Sequence, residues 1–216
     1  FIFLRKNQFD IIHSSTPKAG LLTAIAGLFV TNTIRIHTFT GQRWANMQGM
    51  MRVVLKLLDK LIIKLNTKCY ADSLSQIEFL KSEGVAQINE VKCLHKGSFG
   101  GIDCERFNNE RFPNARKELL EELRLSEDSV LLLYVGRLTK DKGVDDLVQS
   151  FVLAQQKNNK IKLVLIGSYE EHLDPLEPST LNEIKQNKNI FNLGFQNHPE
   201  KYFSAADIFC LFSHRE

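Results

Sequence analysis

The 216-residue chain is 43% hydrophobic and 25% charged with a formal net charge of +3, which is ordinary for a globular protein and allows one large domain or two small ones. No apolar run approaches the roughly 18–20 residues needed to span a bilayer. Four scattered cysteines without a CxxC pair, Cys69, Cys93, Cys104 and Cys210, argue against a zinc ribbon and for a reducing compartment.

The chain opens inside an apolar segment, Phe1 to Leu4, without the n-region or cleavage site of a signal peptide. It stops at Ser213-His214-Arg215-Glu216 and reads as an internal fragment of a longer protein. Phe9 to His13 forms a short apolar strand, and Ser14 to Gly20 a turn punctuated by Pro17 and Gly20. Leu21 to Val30 reads as a small-residue apolar helix. Thr33 to Phe39 is a β-branched strand, which Thr40-Gly41-Gln42 ends. Cys69 to Ser73, Ser75 to Ser82 and Val91 to Leu94 read as strand, helix and strand. Residues 96–116 break the rhythm with the glycine-rich run Gly97-Ser98-Phe99-Gly100-Gly101, a loop where backbone must pack closely, such as an interdomain hinge. Alternation resumes with a helix over Ala115–Leu123, a strand over Val130–Val135 and a helix over Val144–Gln156. A strand over Ile161–Gly167, a helix over Thr180–Gln186 and a strand over Ile190–Gly194 follow, then a helix over Pro199–Ala206 and a strand over Ile208–Phe212. This alternation predicts an α/β architecture with parallel sheets. The charge is uneven, +6 over residues 1–103 and −3 over residues 104–216, so the domains are drawn as 1–103 and 104–216, with different partners.

From Met50 to Leu65, Arg52, Lys56, Lys60 and Lys64 recur every four residues, so a helix would stack them on one face. Like charges at that spacing repel, and a counter-surface would offset the repulsion. The pattern fits a helix seeking an anionic membrane surface or a buried helix with one solvated basic stripe.

The richest segment runs from Leu131 to Gly143. An apolar strand ends at Gly136, and a short polar loop carrying Arg137 and Lys142 leads into a helix. Open α/β sheets bind ligands beyond the carboxyl ends of their strands, and helix amino termini favour anions. A phosphate or diphosphate fits there; the bland alternative is a solvated turn with incidental charges. Glu216, after the strand over Ile208–Phe212, occupies an equivalent place. Two cations for phosphates and a carboxylate for hydroxyls suit a sugar nucleotide. No GxGxxG, GxxxxGK[ST], DxD or GxSxG pattern occurs. The six histidines show no metal-ligand spacing. A basic half without interleaved aromatics or a recognised module does not indicate nucleic acid.

These segments together resemble the retaining glycosyltransferases of family 4, which have the GT-B fold of two Rossmann-like parallel-sheet domains. Val135 to Gly143 is similar to the family's G-R-L-x-x-x-K-G segment, and Leu165-Ile166-Gly167 to its V-G strand end. Ala205 to Phe209 with Ser213 to Glu216 is similar to its A-A-D…P-S-x-x-E stretch, with Phe212 where proline is common. Lys96 to Phe107 resembles the N-G-V-D-x-x-x-F linker. Ser15 to Gly20, Thr38 to Gln42, Ala71 to Ser73 and Gly97 to Asp103 look closest to the capsular-polysaccharide subgroup.

The resemblance implies a hexosyl- or N-acetylhexosaminyl-type transferase of capsule or lipopolysaccharide biosynthesis, acting with retention and both domains incomplete here. Arg137 and Lys142 would bind the donor diphosphate, and Glu216, first of an E-x7-E pair, would contact the transferred sugar. Gly136, Gly167, Gly194 and Phe195 would line the donor site. His13, Lys18, Gly20, Thr40 and Gly41 would lie on the acceptor side, with Thr40-Gly41 where many family members have His-Gly. The donor would be a nucleotide sugar, UDP-linked, with no metal or other cofactor, and the acceptor a polyprenyl-pyrophosphate-linked glycan. The enzyme would sit peripherally on the cytoplasmic face of the plasma membrane, and the fragment alone would not turn over. The alternatives are a GT-B epimerase or phosphorylase, or a non-catalytic nucleotide-sugar or membrane-binding module.

Overall fold

A computed structural model describes residues 2–30, 33–98, 100–170, 172 and 174–213. The chain forms two compact units, Phe1–Gly101 and Ile102–Glu216, each built on a four-stranded parallel sheet flanked by helices. This is the expected α/β arrangement of two Rossmann-like sheets.

In the first unit α1 (Ile2–Asn7) precedes β1 (Ile11–Ser14), α2 (Pro17–Gly27), β2 (Ile34–Phe39), α3 (Gly49–Leu65), β3 (Lys68–Ala71), α4 (Leu74–Ser82) and β4 (Val91–Cys93). The strands lie side by side in chain order. The segment expected to be a turn at Ser14–Gly20 is mostly the first turn of α2. Thr16 Oγ1 accepts the Ala19 N–H at 3.4 Å and Pro17 opens the helix. Proline at that position loses no hydrogen bond, so a turn signal and a helix start look alike in sequence. The core gathers Phe39, Trp44, Ile62, Ile63, Leu80 and Val91 between sheet and helices. Inside it Trp44 Nε1 donates to Asp59 Oδ2 at 2.7 Å. Burial raises the Asp59 pKa, and the indole hydrogen bond opposes the rise.

The four cations of α3 divide into two pairs. Arg52 and Lys56 both reach Glu83, at 2.7 and 2.8 Å, and both lie over the Trp44 ring. Lys60 and Lys64 are exposed, as are Val53, Leu57 and Leu61. A four-residue step advances 40° beyond a full turn, so the stripe winds from the packed face to the outer one. Among the described residues no helix is long and apolar enough to cross a membrane.

In the second unit a 3-10 turn at Asn109–Arg111 leads to α5 (Ala115–Glu122), β5 (Val130–Val135), α6 (Val144–Lys157), β6 (Ile161–Ile166), α7 (Pro178–Gln186), β7 (Ile190–Asn192), α8 (Glu200–Ala205) and β8 (Ile208–Phe209). The strand order is β7-β6-β5-β8. Both faces of this sheet are covered. Tyr134, Leu163 and Leu165 face the α6–α7 side with Val144, Leu147 and Phe151. Leu131, Leu133, Val164 and Ile166 face the α5–α8 side with Leu119 and Tyr202. Double coverage explains why β5 is an unbroken apolar run and β6 is broken only by Lys162, rather than either alternating. β8 stops at Phe209, shorter than expected, and pairs with β5 only through Leu132–Ile208 and Leu133–Phe209. Its two residues are half exposed, so apolar character alone overstated its length.

Candidate functional site

The chain runs outward from β5 through β6 to β7 and then returns to lay β8 on the other side of β5. The reversal opens a crevice at the carboxyl ends of β5 and β8, where open α/β sheets take ligands. Gly136, Arg137 and Lys142 follow β5 directly, and Gly143 caps α6 in a left-handed conformation with φ 67°. A Cβ on Gly143 would overlap the carbonyl oxygen of Phe212. Only glycine therefore lets the start of α6 close onto the segment that follows β8. Glu216 lies outside the described residues.

Three predicted donor-site glycines meet on adjacent strand ends. The Gly136 N–H donates to Ile166 O at 2.9 Å, and the Gly167 N–H to Gly194 O at 2.9 Å. Gly167 has φ 147°, and a Cβ there would lie well under 3.0 Å from the Gly136 carbonyl oxygen. Phe195, next in the chain, is 70% exposed. The Tyr134 hydroxyl donates to Arg137 O at 2.8 Å, and the Leu138 N–H to Ser168 O at 2.9 Å. The loop bearing Arg137 is thus tied to two strands.

Arg137 is half exposed and meets two carboxylates, Glu170 Oε2 at 2.7 Å and Asp141 Oδ2 at 3.5 Å. Burial pushes the Asp141 carboxyl up. Hydrogen bonds with Thr139 and Asp174 and the charges of Arg137 and Lys142 outweigh it, leaving the carboxyl below its ordinary value. Both predicted cations therefore bear on one carboxylate. Exposed pairs of this kind are worth about 0–1 kcal/mol, so a multiply charged anion can displace the carboxylates from Arg137. Nothing local in the sequence marks Glu170, which lies 33 residues beyond Arg137.

The predicted acceptor-side residues all belong to the first unit and have different surroundings. His13 Nε2 and Thr38 Oγ1 are 2.9 Å apart. Thr40 Oγ1 donates to Ser15 O at 3.1 Å. Lys18 is exposed on α2, and Gly41 has φ 131° with no atom within 4 Å of where a Cβ would be. Gly20 serves packing: a Cβ there would come 2.5 Å from His37 Cε1. His37 itself is buried, 2.9 Å from Ser14 Oγ through Nδ1. Burial, with the charge of His13 adding, pushes its pKa down to about 4.

His13 and Thr38 line a cavity of about 330 Å3 at the carboxyl ends of β1–β4, together with Tyr70, Asp72, Leu94 and Ser98. The loop after β4 closes on Asp72. The Ser98 N–H donates to Asp72 O at 2.6 Å, and a Cβ on Gly97, at φ 95°, would overlap that oxygen. This is the close backbone packing expected of the glycine-rich run. Asp72 was legible only as part of Ala71-Asp72-Ser73; nothing in its spacing distinguished its carboxyl.

Residues 115–216 match the family "Glycosyl transferases group 1". The whole chain is 31% identical over 217 residues to the capsular polysaccharide biosynthesis glycosyltransferase CapM of Staphylococcus aureus, covering 55% of that protein. It is 22% identical over 213 residues to the UDP-Gal:alpha-D-GlcNAc-diphosphoundecaprenol alpha-1,3-galactosyltransferase of Escherichia coli, covering 96% of this chain and 53% of that protein. Among solved structures, Anabaena Alr3699/HepE in complex with UDP superposes with a TM-score of 0.66 at 17% identity, over 95% of this chain and 54% of that one. The fold is therefore that of GT-B glycosyltransferases. The chain spans about half the length of these relatives.

Proposed function

We infer that the chain is part of a glycosyltransferase that moves a sugar from a nucleoside-diphosphate donor, UDP-linked, to a lipid-linked glycan in surface-polysaccharide synthesis, with retention. The observation that carries the reading is the β5–α6 turn. It presents Arg137 and Lys142 at a topological switch point, on a backbone that Gly136, Gly143 and Gly167 allow to pack tightly. Breaking a glycosidic bond to a nucleoside diphosphate builds negative charge on the leaving phosphate. Fixed cations aimed there stabilise the transition state more than the ground state. In this reading Arg137 and Lys142 supply that charge in place of a metal, Gly194 and Phe195 lie beside the base, and Glu216 contacts the transferred sugar.

The relatives' roles in capsule synthesis and on a diphosphoundecaprenol-linked sugar support the acceptor class. Support for a peripheral place on the cytoplasmic membrane face comes from α3, where Lys60 and Lys64 lie exposed beside Val53, Leu57 and Leu61. Each exposed cation contributes about 1 kcal/mol at an anionic bilayer. His13, Lys18, Gly20, Thr40 and Gly41 form the acceptor side. The reading is tested by calorimetric titration of UDP into the chain. Saturable binding supports it, and no binding removes it.

A further inference from the structure

We propose that Glu170 is a built-in competitor for the anion site of the second unit: its carboxylate and a diphosphate contend for the same guanidinium, that of Arg137. The proposal rests on the donor-site reading above and names the residue that limits how tightly the site holds a nucleoside diphosphate. Two carboxylates meet Arg137, and they are held differently. Asp141 is fixed within its own loop. Its Oδ1 accepts the Thr139 hydroxyl at 2.6 Å, and its N–H donates to Asp174 Oδ2 at 2.6 Å. Its contact with Arg137 Nη2 is long, 3.5 Å. Glu170 makes the shorter contact, 2.7 Å from Oε2 to Arg137 Nη1, and among the described residues its carboxylate has no other partner.

The backbone delivers Glu170 to this place. Leu138 and Tyr169 pair as a parallel bridge, and the Leu138 N–H donates to Ser168 O at 2.9 Å. On the other side of Glu170, the Asp174 N–H donates to Glu170 O at 3.2 Å. The main chain is therefore held against the loop that carries Arg137, while the carboxylate leaves by side-chain torsions alone. Its departure breaks one partly exposed ion pair and no backbone hydrogen bond.

A phosphate oxygen seeks the same guanidinium N–H groups that a carboxylate oxygen does. A diphosphate carries more charge than one carboxylate and reaches Lys142 as well, so it prevails over Glu170. It does so at a cost in affinity that has two sources of the same sign. The Arg137–Glu170 pair must break, and the displaced carboxylate stays within a side chain's length of the phosphates, where like charges repel. An exposed pair is worth up to about 1 kcal/mol, which converts to about fivefold in affinity. After sugar transfer the same competition favours departure of the nucleoside diphosphate, because Glu170 is at hand to take Arg137 back.

The test is calorimetric titration of UDP and, separately, of inorganic pyrophosphate into the parent chain, Glu170→Gln and Glu177→Gln, at about 0.02 and 0.15 M salt. Glu177 is the control, a half-exposed carboxylate that pairs with Lys140 instead of Arg137. Circular dichroism should show all three chains folded with similar melting, since exposed pairs add little to stability. Glu170→Gln should bind both probes about two- to fivefold more tightly than the parent. Its affinity should also fall more steeply with salt, because the parent exchanges one ion pair for another whereas the variant only forms new ones. Glu177→Gln should stay within about twofold of the parent. Equal or weaker UDP binding by folded Glu170→Gln, or the same gain in Glu177→Gln, overturns the proposal and leaves the donor-site reading standing. A gain for pyrophosphate without any binding of UDP keeps Glu170 as the competitor and removes the donor-site reading. Binding of neither probe overturns both.

Discussion

Replacing Gly167 with alanine tests whether the carboxyl edge of the second sheet depends on backbone contact between β5 and β6. Two costs combine. At φ 147° the backbone occupies a region that L-residues avoid, at about 1–3 kcal/mol. The new methyl also falls well under 3.0 Å from the Gly136 carbonyl oxygen, and backbone cannot swing aside as a flexible side chain does. The Gly136 peptide must shift, weakening its hydrogen bond to Ile166 O and displacing the turn that carries Arg137. Together these costs amount to about 3 kcal/mol or more, in the upper range for single substitutions. At about 4 °C per kcal/mol for a unit of this size, melting should fall by about 12 °C or more. Gly194→Ala is the internal control. Its φ of 66° carries a backbone cost, but no atom lies within 4 Å of the new Cβ. It should lose about 1 kcal/mol, or about 4 °C. Scanning calorimetry of the chain and both variants, with and without UDP, measures the difference. Equal, small losses in the two variants would refute the reasoning.

Two further predictions concern the first unit. The pKa of His37 lies at about 4 rather than 6.5, so its neutral form stabilises the fold fully above about pH 6.5 and that stability is lost as pH falls toward 4. The unfolding free energy from urea titrations followed by Trp44 fluorescence should therefore fall by up to about 3 kcal/mol across this window in the parent chain. The His37→Asn variant should show a flatter profile, and an unchanged profile would count against the assignment. Trp44→Phe removes the donor to the buried Asp59 carboxylate and should cost about 1–3 kcal/mol in equilibrium unfolding followed by circular dichroism. A loss under about 0.5 kcal/mol would show that Asp59 finds another donor.

The features legible in the sequence were those with a local signature. Apolar runs, continuous in β5 and interrupted only by Lys162 in β6, marked these strands because both sheet faces are covered. Gly136, Gly167 and Gly194 ended strands, and the structure stitches the three ends together. What escaped depended on partners distant in sequence. Glu170 meets Arg137 and Glu83 meets Arg52 and Lys56 across 33 and about 30 residues of chain, separations at which periodicity carries no information. The inward turn of Arg52 and Lys56 was hidden because a four-residue spacing looks like a straight stripe, although it drifts around the helix. Pro17 looked like a turn because the same residue opens helices.

The proposed sugar transfer depends most heavily on a pyrophosphate being held by the cations after β5. Calorimetric titration of UDP into the chain, Arg137→Ala and Lys142→Ala tests it most directly. Charge-assisted contacts of about 1.5–3 kcal/mol each predict about 10- to 100-fold weaker binding in either variant, with a reduced response to added salt. UDP affinity unchanged by both substitutions would contradict it.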